Sequence, residues 1–537
     1  MRLPLRFLHS SVSVLVIMLV KVLHILLLNF IVSVKSANIL AYYPCPSISH
    51  QVVFRPITLE LIKRGHTVTV LTTDPIYPRG KTPANLTEID MHDVSYNLLR
   101  KNLHRIIIGK TNEVITQVHN IKELSIIAIE EQMNITEVKE FISDKKQRID
   151  LILVEAFLET ALGISHLFKA PTILVSSFGP FLGNYEIIGA PTNPPYLYRN
   201  FFSQKLYNMT IWEKIIDLYT QVRIKYITIA SEDEENKALK RIFGPDTPTL
   251  NELKNKVEML FLNINPIWEG NYPVPPAVVH MGGLHQKPPK ELPKDLSQLL
   301  DNSKNGVIYF SFGTNVRPSL LDPAKIEIFH KVFAELPYNV IWKWDDESLQ
   351  PRSDNVRIFK WLPQSDLLRH PNVKLFITQG GLQSTDEAIT AGVPLVGVPM
   401  LGDQWYNVEK YVYHKIGVRL DFEDLTEEKL KQALLDVAEN ESYRNNIIRL
   451  RSLMQDQPQK PLERAIWWLE YVLRHGGAKH LRSPAANISW SEYLELELLS
   501  LVLISLVTSL VLITLVLRFT FQKLLQLYQI HYKEKML

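Results

Sequence analysis

Hydrophobic positions follow two spacings along residues 38–265. Four short apolar runs predict buried strands, at residues 39–43, 67–71, 151–154 and 172–175. The segment after the first run has apolar residues at helical spacing, although Pro56 within it should bend the helix, unless the helix begins later than Ser49. Strands separated by helices in this way indicate a parallel sheet covered by helices on both faces.

A second series of strands and helices follows a change in composition. Seven prolines and the pair Gly282-Gly283 fall within residues 265–293, which is typical of a linker. Five further apolar runs then predict strands, at residues 307–312, 340–344, 356–359, 373–378 and 394–398. We therefore expect an α/β protein of two doubly wound lobes, with a ligand cleft between the carboxyl ends of the two sheets.

The expected boundaries follow from this pattern: an N-terminal lobe at residues 37–265, a proline-rich linker at 266–300 and a C-terminal lobe at 301–485. An aromatic-rich helix near the end of the second lobe, within residues 454–474, is expected to cross back to the first lobe.

Both ends of the chain carry long apolar segments. Residues 1–36 combine basic residues with apolar runs on either side of Lys21, which is typical of a signal peptide; Met18 is an alternative start, and an uncleaved signal anchor is the alternative interpretation. Residues 498–517 carry no charge and are long enough to span a bilayer. Acidic residues precede this run and Arg518 and Lys523 follow it, so the positive-inside rule places the body in the lumen and residues 518–537 in the cytosol.

The last residues fit this type I, single-pass topology. Lys533 and Lys535 lie fifth and third from the end and resemble a dilysine retrieval signal for the endoplasmic reticulum, although a basic tail against anionic lipid is the simpler interpretation. Glycosylation motifs fit a lumenal body and occur at Asn85, Asn134, Asn208, Asn440 and Asn487. We expect a glycoprotein of the endoplasmic reticulum membrane.

Composition excludes several classes of protein. The chain has 537 residues, 46% of them hydrophobic and 21% charged, which is globular and too long for one core. Cys45 is the single cysteine, which excludes a disulfide scaffold. The two ends are basic and leave a net charge of −4 on the residues between them, so a nucleic-acid partner is not expected.

Residues 361–404 carry the most informative candidate chemistry. Trp361 follows a predicted strand, where an indole can stack on a heterocycle. Gln379, Gly380 and Gly381 lie between a strand and a helix, where glycine lets the backbone approach a phosphate and helix amides favour an anion. Acceptors for sugar hydroxyls follow, at Glu387, Asp403 and Gln404. Each feature alone has a simpler interpretation, since paired glycines form turns as often and buried tryptophans are usually core residues.

Together, the order and spacing of these residues closely resemble the signature of the UDP-glycosyltransferase family. The resemblance extends over nearly the whole chain and includes SHQVVFRP at 49–56, YFSFGT at 309–314 and FITQGG at 376–381. The first and last of these are similar to insect members. The resemblance implies two Rossmann-like lobes of the GT-B type, with UDP-sugar on the C-terminal lobe and the acceptor on the N-terminal lobe.

The resemblance assigns most of these residues to the donor. Trp361 would stack on uracil with Gln364 nearby, and Glu387 would hold the ribose. Asp403 and Gln404 would bind the transferred hexose. The diphosphate would be surrounded by Ser311, Gly313, Thr314, Gln379, Gly381, Gln383 and Ser384. Many relatives have histidine in place of Gln379, and an amide brings no positive charge to the leaving diphosphate, so we expect a contact there, with a catalytic role as the alternative.

Two residues of the N-terminal lobe are the catalytic candidates that the resemblance implies. His50 would be the general base that takes the proton of the acceptor; a helix-start histidine bound to a neighbour is the alternative. Glu155 would orient the imidazole and stabilise its protonated form; an ordinary salt-bridge partner is the alternative. Many relatives have aspartate at this position, so the longer side chain could alter the geometry. His66 is expected to mark a turn.

The expected reaction is transfer of a hexose, with inversion, from a UDP-sugar to small lipophilic hydroxyl compounds, as in detoxification. The similarity of these motifs to insect members favours UDP-glucose as the donor. No cofactor and no metal ion is expected, and a homo-oligomer is an open alternative. The acceptor pocket is expected at residues 178–185 and 191–202, which would equally suit a membrane surface. Two alternatives remain, namely a dedicated lipid or sterol glycosyltransferase and a binding protein without turnover.

Overall fold

The computed structural model describes residues 36–102, 109–110, 113–144, 146–192, 201–346, 350–351 and 353–536. The predicted signal peptide, its alternative start at Met18 and most of segment 191–202 lie outside the described residues. The described residues form two parallel β-sheets covered by helices, which is the GT-B architecture expected from the sequence.

The first sheet has seven strands in the order β3-β2-β1-β4-β5-β6-β7. In chain order these are β1 Asn38–Tyr43, β2 Thr67–Thr72, β3 Leu86–Asp90, β4 Leu151–Glu155, β5 Thr172–Ser176, β6 Val257–Leu262 and β7 Val278–His280. The second sheet has six strands in the order β10-β9-β8-β11-β12-β13. These are β8 Val307–Ser311, β9 Asn339–Lys343, β10 Val356–Phe359, β11 Val373–Thr378, β12 Leu395–Gly397 and β13 Gly417–Arg419. In both sheets the order reverses beside the first strand, which is where such sheets open a crevice for ligands.

The α-helices of the described residues connect these strands and cover both faces. Before β8 they are α1 Ile48–Lys63, α2 His92–Lys101, α3 Val114–Met133, α4 Thr136–Ser143, α5 Ile164–Phe168, α6 Asn184–Ile188, α7 Ile211–Ala230, α8 Glu232–Phe243, α9 Leu250–Lys254, α10 Pro266–Glu269 and α11 Lys294–Asp301. After β8 they are α12 Pro323–Glu335, α13 Gln364–Leu368, α14 Leu382–Ala391, α15 Gln404–Tyr413, α16 Glu427–Glu439, α17 Glu441–Gln455, α18 Pro461–His475, α19 Trp490–Tyr493 and α20 Leu496–Met536. Short 3-10 helices lie at Glu159–Gly163, Pro318–Leu320 and Lys479–Leu481.

The nine predicted strands are present, and four others were not predicted, namely β3, β6, β7 and β13. The strand β7 corrects the expected linker at 266–300, because Val278–His280 pairs with β6 and belongs to the first sheet. Its three residues lie among prolines and are too few to show a strand pattern. The connection between the two sheets therefore begins after His280. Helix α1 begins at Ile48 and runs through Pro56, so the later start considered above is not observed.

Helix α18 returns to the first lobe as expected. Its buried face, Ala465, Ile466, Leu469 and Val472, lies in the same core cluster as Ile57 and Leu61 of α1. Arg64, just after α1, donates to both carboxylate oxygens of Glu470 at 3.1 Å. The chain thus closes the first lobe with a helix that follows the second.

Helix α20 contains the predicted span at 498–517. By length and composition it could cross a membrane, and none of it is buried against the protein. The helix continues as far as Met536, so the basic tail expected from residue 518 prolongs the same helix.

A buried group of charges supports the 3-10 turn that follows β4. The ammonium of Lys122 lies 2.5 Å from Glu159 and 3.1 Å from Glu235, and Lys254 lies 2.7 Å from the other oxygen of Glu159. Burial opposes ionisation of Glu159, but the two lysines lower its pKa to about 2. Because Glu159 lies four residues after the end of β4, this group helps to fix the loop at the edge of the sheet.

Replacing Lys122 by methionine is expected to lower the free energy of unfolding by roughly 3–5 kcal/mol, because two buried carboxylates lose their shared cation. Denaturant unfolding of the detergent-solubilised protein measures this change. The exposed Lys139→Met is the control and is expected to stay within about 0.5 kcal/mol of the wild type. Equal stability of the two variants would show that the buried ion pairs of Lys122 make no net contribution to the free energy of unfolding.

Candidate active site

His50 and Glu155 meet at the carboxyl edge of the first sheet. The strands β1 and β4 are parallel neighbours, so the loop that leads to α1 lies beside the last residue of β4. His50 is the third residue of α1, and its Nδ1 lies 2.5 Å from Oε1 of Glu155. His50 is 8% exposed and Glu155 is 1% exposed. The longer glutamate side chain therefore reaches the imidazole, although 105 residues separate the two in sequence.

The remaining oxygen of Glu155 is also held. The backbone N–H of Cys45 donates to Oε2 at 3.0 Å, so the carboxylate is fixed from two sides. Burial alone would lower the pKa of His50, but charge interactions and hydrogen bonds with Cys45 and Glu155 together raise it well above its usual range. With Nδ1 directed at Glu155, Nε2 is the nitrogen that can exchange a proton with a ligand.

Phenylalanine side chains surround this pair. The rings of Phe157 and Phe178 meet His50 edge-on, with centroid distances of 5.5 and 5.2 Å. Phe181 and Phe201 extend the cluster, and Phe201 reaches Gly402 of the second lobe. The predicted acceptor segment 178–185 thus contributes two of these rings. The surroundings of the imidazole are apolar and aromatic, which suits a flat lipophilic ligand.

On the opposite lobe, Trp361 is 67% exposed at the cleft, as expected of a side chain that stacks on a ligand. Sequence reasoning missed Lys343, the last residue of β9. Its ammonium lies 4.6 Å from the centre of the Trp361 ring and donates to the carbonyl of Gly313 at 2.8 Å. A cation at the carboxyl end of a predicted strand was the signal that could have found it. Lys343 joins the ring to the glycine loop.

Gln364 connects several predicted donor-site residues. Its amide donates to Oε2 of Glu387 at 2.7 Å and to Ser384 at 3.0 Å, while its oxygen accepts from the hydroxyl of Tyr309 at 3.0 Å. Burial raises the pKa of Glu387. Gln364 therefore positions the carboxylate expected at the ribose.

Two glycine turns face each other where a diphosphate is expected. Gly313 and Gly380 have φ angles of +74° and +91°, a region that favours glycine. A Cβ on Gly313 would lie 2.5 Å from Nε2 of Gln379, so the amide fits against the bare backbone. Oε1 of Gln379 is buried without a hydrogen-bond partner among the described residues. Ser311 accepts from the backbone N–H of Gly313 at 3.2 Å and lies at the same turn.

Asp403 and Gln404 lie at the start of α15. Oε1 of Gln404 accepts from the backbone N–H groups of Met400 and Leu401, both at 2.8 Å, so its NH2 group is the part that can donate to a ligand. Burial raises the pKa of Asp403 to about 6, partly offset by the hydrogen bond from Asn407 and by the nearby charge of His50. The predicted base and the predicted sugar carboxylate therefore lie within electrostatic reach of each other across the cleft.

Sequence reasoning also missed Asn407, which joins three parts of the site. Its amide donates to Oδ2 of Asp403 at 2.8 Å and to the carbonyl of Gly380 at 2.9 Å. Its oxygen accepts from the indole of Trp268 at 3.1 Å. One turn further along α15, Lys410 donates to the carbonyl of Glu269 at 3.0 Å. No local pattern marks these residues, because their contacts with Trp268 and Glu269 join segments more than a hundred residues apart.

The remaining predicted residues occupy different surroundings. Gln383 donates to the carbonyl of Ser177 at 2.9 Å and so bridges the lobes. Thr314 is exposed at the glycine loop, and Gly381 precedes α14. His66 is fully buried and accepts from the backbone N–H of Ala37 at 3.3 Å, away from the cleft. Within the described ranges, a single cluster has the make-up of a metal site, formed by Cys45, His50 and Glu155.

One family model and two of the relatives that match this chain are described as UDP-glucosyl or UDP-glucuronosyl transferases. A family model described as "UDP-glucoronosyl and UDP-glucosyl transferase" matches residues 41–530. An ecdysteroid UDP-glucosyltransferase of Spodoptera littoralis nuclear polyhedrosis virus is 36% identical over 489 residues, which cover 88% of this chain and 95% of that protein. Human UDP-glucuronosyltransferase 2B7 is 30% identical over 500 residues, covering 88% and 92%. The solved structure of glycosyltransferase VinC in complex with DTDP has a TM-score of 0.56 at 16% identity, covers 82% of this chain and 100% of that chain, and bears on the fold alone.

The thiol of Cys45 is expected to react slowly with a disulfide reagent such as DTNB at neutral pH. Burial raises its pKa, and each pKa unit of increase lowers the fraction present as reactive thiolate by about tenfold. Because Cys45 is the single cysteine, the absorbance of the released thiolate reports this site alone. The denatured chain is the control and is expected to react at the rate of a free thiol. Rapid reaction of the native protein would instead indicate a thiolate–imidazolium pair with His50.

Proposed function

The chain belongs to the UDP-glucuronosyl and UDP-glucosyl transferase family, and from this premise we propose that it transfers glucose, with inversion, from UDP-glucose to hydroxyl groups of small lipophilic compounds, in a detoxifying role. The chain is a UDP-sugar-dependent hexosyltransferase; the donor hexose, the acceptor and the role are the proposal. The observation that carries it is the buried His50–Glu155 pair, which opens on a phenylalanine cluster and faces Asp403.

The proposed step begins at the acceptor hydroxyl. Its oxygen attacks the anomeric carbon while its proton passes to Nε2 of His50. The bond between that carbon and the diphosphate oxygen breaks on the opposite face, and UDP leaves with the electron pair. Glu155 stabilises the imidazolium that forms and keeps Nδ1 protonated. Base catalysis of this kind contributes roughly 10²–10⁴-fold.

The donor would lie along the second lobe. Uracil would stack on Trp361, Glu387 would accept from the ribose, and the two glycine turns would hold the diphosphate. Lys343 supplies the positive charge that Gln379 does not, since its ammonium already contacts the Gly313 loop. Asp403 and Gln404 would then grip the hexose between the two lobes. We propose no metal ion or cofactor for this reaction.

The apolar acceptor site supports lipophilic compounds without selecting one. A sterol is the second candidate acceptor, because four viral relatives in the comparison are named ecdysteroid UDP-glucosyltransferases and the first of them is 36% identical. A ring system of that size and flatness would contact the same phenylalanines. UDP-glucose is favoured as donor because these relatives are named glucosyltransferases.

We propose a type I orientation in the endoplasmic reticulum membrane. The segment that leads into α20 is held against α6, because Arg482 and Asn487 donate to the carbonyl of Ile187. The carboxylate of Glu186 in α6 interacts electrostatically with the ammonium of Lys225 in α7. Helix α7 therefore lies near the segment that leads into α20. Helix α7 exposes large apolar side chains, among them Ile211, Trp212, Ile216, Tyr219, Val222 and Tyr226. Protease treatment of sealed microsomes tests the orientation, with the body protected and the C-terminus cleaved.

His50→Gln is expected to lower glucoside formation by about 10²–10⁴-fold while UDP binding stays intact, since the base is lost and the donor contacts are not. Turnover by detergent-solubilised membranes, with UDP-glucose, UDP-galactose and UDP-glucuronate against a panel of phenols and an ecdysteroid, measures this. His119→Gln, at an exposed position of α3, is the control and is expected to keep wild-type turnover. Equal rates for the two variants would exclude His50 as the base.

Glu155→Gln is expected to shift the pH profile as well as the rate. The carboxylate raises the pKa of His50, so its loss lowers that pKa and moves the acidic limb of kcat/KM to lower pH. The plateau should also fall by about 10²–10⁴-fold because the imidazolium loses its partner. An acidic limb that does not move would assign the titration to another group.

A further inference from the structure

The thiol of Cys45 takes no part in the proposed reaction, yet it lies against the base. One ligand atom each from Cys45, His50 and Glu155 lie within 4.8 Å of one another. We propose that these three side chains bind a thiophilic divalent cation, Zn²⁺ or Cd²⁺, and that the bound cation inhibits the enzyme by occupying the base.

The donor set fits such a cation. Thiolate, imidazole and carboxylate are the three ligand types that zinc uses in proteins, and three protein ligands leave a fourth position open. Ligand atoms around tetrahedral zinc lie roughly 3.3–3.7 Å apart, by the bond lengths of such sites. The three atoms here are within reach of that spacing, although the 2.5 Å contact between His50 and Glu155 must open as the cation takes the place of the shared proton.

The charge at the site also favours a dication. The carboxylate of Glu155 and the thiolate of Cys45 together balance its two positive charges, so the buried assembly becomes neutral. Binding releases the thiol proton to the buffer, together with the imidazolium proton where His50 carries one. The charge of Asp74 acts on Cys45 and that of Asp403 acts on His50, so both carboxylates add negative potential at the site.

The consequence is inhibition on the acceptor side of the cleft. An imidazole ligated through Nδ1, the nitrogen that faces Glu155, carries its own proton on Nε2 and so cannot take the proton of the acceptor hydroxyl. The residues that hold the nucleotide are on the other lobe, so UDP binding is unaffected. Inhibition therefore lowers kcat and does not depend on the concentration of the acceptor.

Cadmium titration of the purified full-length protein in detergent tests the site without any activity. A bond between Cd²⁺ and thiolate gives an ultraviolet charge-transfer band, and a single cysteine means that the band reports Cys45 alone. We expect a saturable band with one Cd²⁺ per chain, absent from Cys45→Ser. His50→Gln and Glu155→Gln should weaken the affinity by at least about tenfold, the loss typical of a disturbed metal site.

A lone surface thiol is the matched control for this titration. Lys139→Cys in the Cys45→Ser chain places one cysteine on the exposed side of α4. It should bind Cd²⁺ as weakly as a free thiol. The proposal is overturned if the wild type shows no band, or if its affinity equals that of this control or of His50→Gln.

Zinc inhibition of turnover then tests the consequence. Zn²⁺ should lower kcat, and its inhibition constant should stay the same at all concentrations of acceptor and of UDP-glucose. That constant should be at least about tenfold higher for Cys45→Ser, whatever the basal rate of that variant. A cadmium band without zinc inhibition would overturn the inhibitory role and contradict His50 as the base. Failure of cadmium binding in an active enzyme would overturn the metal site and leave the proposed transfer intact.

Discussion

The attachment of α15 to the first lobe is the constraint on which the cleft depends. Asn407 uses its oxygen for Trp268 and its amide for Asp403 and Gly380, and Lys410 binds the turn that contains Glu269. Trp268, Asn407 and Lys410 are almost fully buried, so a missing partner would leave a polar atom without water or a hydrogen bond. The glycine turn at Gly380, the carboxylate of Asp403 and the first lobe therefore keep one relative position, and His50 faces the second lobe from a fixed direction.

The regular part of the fold was predictable because it is local. Residues of β1, β4, β8 and β11 are buried on both faces, which gives uninterrupted apolar runs. The strand β3 alternates with charged residues at a sheet edge, and β7 and β13 have three residues each, so their identity depends on a neighbour that the sequence does not show. The missed β6 is a different case, since VEMLFL is a buried run that the same criterion could have found.

The site was predictable only where a motif was intact. The resemblance pointed to His50 and Glu155, but it left open whether a glutamate in place of aspartate would reach the imidazole with the right geometry. Lys343 and Asn407 were missed because their importance lies in contacts between segments 30 or more residues apart, or across the lobes. The structure also gives Gln364 a positioning role, since its amide donates hydrogen bonds to Glu387 and Ser384.

The return of α18 to the first lobe determines the order in which the two lobes can complete their folding during synthesis. A nascent chain emerges from its N-terminus, and domains generally fold as they appear. Here the core around Ile57 and Leu61 is completed by Leu469 and Val472, which are synthesised after the whole second lobe. The first lobe therefore cannot complete its fold, and part of its apolar surface stays exposed, until translation has nearly reached the helix that begins at Leu496. Folding of the two lobes is thus coupled to the synthesis of the residues just before the apolar helix α20, and the N-terminal half is the part that most needs a chaperone until then.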